Sequence, residues 1–171
     1  AYGLGARLQT EELLRHVEFV QTAYDLLSIA DAQRHAEHII NLLGGAQGEH
    51  FGDVDGLHGV QNPGDGYGII PYVTLLGETA VNAANAPDAT NAIRIHSTHV
   101  ELAGSNALEW ATQIEAAALQ IVAADSVGDI GPYVETLTQL SPLLLNGADS
   151  NGDGEVGPAE GGVFTAYQHA Q

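Results

Sequence analysis

Thr10-Glu11-Glu12-Leu13-Leu14-Arg15-His16-Val17-Glu18-Phe19-Val20-Gln21-Thr22-Ala23-Tyr24-Asp25-Leu26-Leu27 is the stretch on which the fold class turns. Leu13, Val17, Val20, Tyr24 and Leu27 recur at three-and-four spacing, the period of one helix face. Thr10 is placed as an N-cap, and Glu11 and Glu12 suit the positive end of the helix dipole. The same period continues downstream. Ala32, Ala36, Ile39, Ile40 and Leu43 mark the buried face of a second helix, about 31–43, which Gly44-Gly45 stops. Further helical stretches are expected at about 71–84, from 88 to about 124 with a break near Gly104-Ser105, and at 132–145, where Pro142 limits regularity. No convincing strand appears. The chain is read as all-α, an up-and-down bundle of four or five helices. Residues 1–145 form the bundle, with a Gly/Asp-rich loop inserted at 44–68, and residues 146–171 form an appended turn and short helix.

Charge narrows the partners. Twenty-two acidic residues face four basic ones, for a formal charge of −18. Nucleic acid and anionic membrane surfaces need positive charge and are excluded as expected partners. No apolar run reaches spanning length. The chain has no cysteine, which removes disulfides, thiolate metal sites and covalent c-type haem. It also has no methionine, so Ala1 reads as the start of a processed chain whose signal peptide has been removed. The expected location is secreted, extracellular or periplasmic.

Asp149-Ser150-Asn151-Gly152-Asp153-Gly154-Glu155-Val156-Gly157-Pro158-Ala159-Glu160 fits the calcium-loop pattern at every fixed position. Asp149, Asn151 and Asp153 offer side-chain oxygens, Glu155 its carbonyl, and Glu160 a closing bidentate carboxylate. These twelve residues resemble EF-hand-like loops, of the dockerin type found in secreted bacterial proteins. The likeness does not extend upstream, where Asn146-Gly147 breaks the incoming helix. The long loop repeats the pattern imperfectly. Asp53 and Asp55 match the first two ligands and Val60 matches the anchoring Val156, but Leu57 and His58 stand where a ligand and a glycine belong. Asp65, one place late, would close this second calcium site. The run His35 to Gly45 with the loop after it also resembles a run in secreted bacterial proteins, and that likeness implies no activity.

Eight histidines complete the inventory. His35/His38 and His96/His99 share His-x-x-His spacing, which puts both rings on one helix face. His16 sits at the edge of the first apolar stripe. These five are candidate ligands for zinc, copper or non-covalent haem. A histidine at such an edge is also what an ordinary helix surface carries. The Glu-x-x-His di-iron and His-Glu-x-x-His zincin patterns are absent. No nucleophile elbow, phosphate loop or dinucleotide fingerprint occurs, so no catalytic residue is assigned. Two functional readings stand. One is a secreted, calcium-stabilised bundle with a structural, binding or assembly role at a cell surface or in a filament, through self-association or a surface protein. The other is a metal- or haem-binding bundle for electron transfer or metal carriage.

Overall fold

The computed structural model describes residues 2–171. Six α-helices follow one another: α1 Tyr2–Asp25, α2 Ile29–Gly44, α3 Ile69–Ala84, α4 Asn91–Val122, α5 Val127–Asn146 and α6 Val163–His169. A single 3-10 turn, Gly45–Gln47, follows α2. Among the described residues there is no strand, and no helix is long and apolar enough to cross a membrane.

The helices form one bundle around α1 and α4. α1 packs on α2, α3, α5 and α6, and α4 packs on α2, α3, α5 and α6. The shared core joins Leu13, Val17 and Val20 of α1 to Ile39, Ile40 and Leu43 of α2, and to Ile114 and Ile121 of α4. Ile130, Leu137 and Leu144 of α5 and Val163 of α6 close it. Burying each of these branched side chains contributes about 1.5–3 kcal/mol. The alanines of α4, among them Ala103, Ala107, Ala111 and Ala118, are spent inside this chain, where they let neighbouring helices approach.

Helix boundaries depart from the expected ones where tertiary contacts override local signals. α1 begins eight residues before Thr10, because Ala6 and Gln9 extend the buried stripe backward. Thr10 is therefore interior, and its hydroxyl donates to the Ala6 carbonyl at 2.7 Å. Leu27 leaves the stripe altogether. It is 77% exposed and adopts φ 58°, the left-handed turn that ends α1, where Ser28 N–H donates to the Ala23 carbonyl. α4 runs unbroken through Gly104-Ser105, its Thr90 hydroxyl capping Ile93 N–H at 3.3 Å. α5 starts five residues before Pro132 and carries both Pro132 and Pro142 inside it. Of the segment after Pro158, only Val163–His169 is helical.

The loop after α2 is ordered by backbone and side-chain ties. Gly45 has φ 62°, and a Cβ there would run into the Tyr67 carbonyl. Asp65 N–H donates to Gln9 Oε1 at 3.1 Å, and the Tyr67 and Tyr72 rings lie 4.3 Å apart. Asn41, fully buried on α2, donates to the carbonyls of Gly52 and Gln61 and accepts Gly52 N–H.

Candidate metal centres

α1 and α2 cross so that His16 meets His35 and His38. His16 lies on the buried side of α1, and His38 is buried on α2. His16 Nδ1 stands 3.2 Å from His35 Nδ1 and 3.2 Å from His38 Nδ1. Phe19 packs edge-on against His16 and lies 4.9 Å from the His35 ring. Three imidazole nitrogens thus converge on one point under an aromatic cover.

An outer hydrogen bond fixes the tautomer of His38. His38 Nε2 stands 3.1 Å from Gln61 Oε1, which can only accept, so Nε2 carries the proton. Gln61 is oriented for this by its own amide group, 3.5 Å from the His58 carbonyl. His16 Nε2 faces Glu12 Oε1 at 3.5 Å, an ion-pair distance and not a hydrogen bond. His38 Nδ1 then presents its lone pair to His16 Nδ1, 3.2 Å away. Histidine ligands to metals are commonly held by this kind of outer hydrogen bond. A tetrahedral zinc with Zn–N of 2.0–2.1 Å sets its ligand nitrogens about 3.3 Å apart, close to what is found here.

Electrostatics keep the three rings from taking up a second proton. Burial pushes the His16 imidazole down to about 3, helped by its neighbours His38 and His35. Burial also lowers His35 to about 4, with Arg34 adding to the effect. His38 is lowered by burial in the same way, partly offset by its bond to Gln61. All three rings are neutral at pH 7, as a metal ligand must be.

A second convergence joins α4 to α6. His96 Nδ1 is 2.8 Å and His99 Nδ1 is 3.4 Å from His169 Nδ1. His96 is exposed, and His99 and His169 are half-buried. Partial burial and the two neighbouring rings lower His169. Arg7 of α1, stacked on Phe164 and Tyr167, holds α6 in place for this contact.

The acidic candidates divide. Asp53 and Asp55 are brought together with Glu37 of α2, not with Asp65. Asp65 instead accepts Tyr67 N–H and the Tyr72 hydroxyl. Glu37 is 1% exposed and accepts the N–H groups of Asp55 and Gln61. His58 lies 3.1 Å from Asp55 Oδ2. In the C-terminal loop, Asp149 accepts N–H groups from Gly152, Asp153 and Gly154. Asn151 and Asp153 each accept from the residue two places on. Glu160 reaches back to Ser150 and Asn151, and its carboxyl is held below the usual range chiefly by the Ser150 hydroxyl. Asn106 of α4 donates to the carbonyls of Ala159 and Gly161, tying the loop's exit to the bundle.

The two His-x-x-His pairs and His16, singled out in the sequence by spacing and by position beside an apolar stripe, fall into these two clusters, and four partners were missed. His169 lies 70 residues from His99 and carries no spacing signal. Glu37, Asn41 and Gln61 are the others. Glu37 and Asn41 do stand four residues apart within an apolar run, where a polar residue is costly unless partnered. Comparison with family models, curated proteins and solved structures finds no match.

Proposed function

We propose that this protein is a metal-binding helical bundle that holds a zinc-class ion at His16, His35 and His38. The observation that carries the reading is the convergence of three Nδ1 atoms, with His16 Nδ1 3.2 Å from those of both His35 and His38 and the His38 lone pair turned inward by Gln61. A single proton on His16 Nδ1 serves only one of its two contacts. A cation between the three nitrogens satisfies all of them. The ring centres stand 4.7–5.4 Å apart, which leaves no room for a macrocycle between them and favours a single ion over haem. Three histidines leave a fourth position for water or an exchanging ligand. That suits metal carriage or a reactive centre more than a closed structural site.

Calcium enters as the clamp of the same fold. What supports the clamp is the match of Asp149 to Glu160 to the calcium-loop pattern, with successive side-chain-to-backbone turns at Asp149, Asn151 and Asp153 and positive φ at Gly152 and Gly154. A structural or assembly role for the whole protein is the second reading, and this loop is what favours it.

Zinc titration of metal-free protein, followed by calorimetry, tests the first reading. In a His96→Ala/His169→Ala background one zinc should bind per chain, and His16→Ala/His38→Ala added to that background should remove it. Undiminished binding after removal of His16 and His38, or no binding before it, overturns the reading.

A further inference from the structure

We propose that His96, His99 and His169 form a second metal centre, distinct from the first, whose open position accepts a short-chain monocarboxylate. Its three Nδ1 atoms converge at 2.8 and 3.4 Å, again within the span of one ion's ligand shell. The ligands come from two elements far apart in sequence. An ion here would fasten α6 to α4, and α6 is only seven residues long. A helix of that length is not stable alone.

What separates this centre from the buried one is its surroundings. His96 and His169 stand in the wall of a cavity of about 370 Å³. The remainder of that wall is largely apolar, with Leu76, Ala80, Ile93 and Val100 among its residues. Apart from these histidines, no acidic or basic side chain lines it among the described residues. A divalent ion held by these imidazoles would bring positive charge to a wall whose other side chains are uncharged. It would take one anionic oxygen donor, and the apolar wall would cover a short hydrocarbon tail. Pockets of this volume, mostly apolar with one polar anchor, are typical of small-ligand sites.

Cobalt(II) serves as the probe, because its visible spectrum reports coordination changes. In a His35→Ala/His38→Ala background with calcium present, one cobalt should bind per chain, and His169→Ala should abolish it. Adding acetate, propionate and butyrate should shift the visible bands, with affinity rising about fourfold per methylene as each is buried. No cobalt in this background overturns the second centre. Cobalt without any spectral response overturns the open position, and a response with no chain-length dependence overturns the cavity's role. If His35→Ala/His38→Ala does not fold, the same series is run as a difference between wild type and His169→Ala. The reciprocal His96→Ala/His169→Ala protein keeps its own ion if the first centre is real. Failure of one centre is thereby read separately from failure of the other.

Discussion

Lowering the pH from 7 to 5 should destabilise the metal-free protein through His16, by about 2 kcal/mol for this residue alone. In the unfolded chain the imidazole takes up a proton near its ordinary value of about 6.5. In the folded chain burial beside two other imidazoles pushes it down to about 3. Between those limits the unfolded state binds more protons, so stability falls as the pH falls. The contribution is fully present above the unfolded value and is lost progressively below it. Over the one and a half pH units from 6.5 to 5, at about 1.36 kcal/mol per unit, the loss is about 2 kcal/mol. The acidic surface, at a formal charge of −18, changes in the same interval and must be cancelled out. The assay is therefore a difference. Urea unfolding of wild type and His16→Asn is measured at both pH values without metal, and the wild type should lose about 2 kcal/mol more than the variant. Equal losses in the two proteins would show that His16 is not held neutral by its site and would refute the account of the triad.

Gly45→Ala should cost more than about 2 kcal/mol, since it adds a Cβ at φ 62° against the Tyr67 carbonyl. Gly44→Ala, one residue earlier, meets open space at the end of α2 and should be neutral or stabilising in the same thermal melt. Ser141→Ala should keep stability or raise it by up to about 1 kcal/mol, because the buried hydroxyl of Ser141 has no hydrogen-bond partner. Denaturant midpoints check this, and a marked loss would mean the hydroxyl is satisfied after all. Asp149→Ala should abolish any calcium-dependent rise in Tm, since Asp149 accepts three loop N–H groups and on the proposed reading would offer the first ligand oxygens. A wild-type Tm identical with and without calcium would remove the clamp from the proposal.

The sequence by itself determined the elements and the chemistry they carry. Apolar periodicity is local, so the stripe through Leu13, Val17 and Val20 and the run Ile39, Ile40, Leu43 were legible as helix faces without any fold. His-x-x-His spacing placed two imidazoles on one face for the same reason. Ends of elements were less legible, because they depend on what the last turn touches. Thr10 has the chemistry of a cap, yet lies inside α1 because Ala6 and Gln9 find partners in the core. Leu27 has the spacing of a core residue, yet sits in the turn that ends the helix.

Only the tertiary structure decided which side chains share a point in space. The crossing of α1 on α2 brings His16 to His38 across 22 residues, and the docking of α6 on α4 brings His169 to His96 across 73. Glu37, and not Asp65, joins Asp53 and Asp55, because α2 lies beneath the loop while Asp65 is held by Tyr72. Such meetings follow from how whole faces bury against one another. That is a sum over the entire core, and no window of sequence contains it.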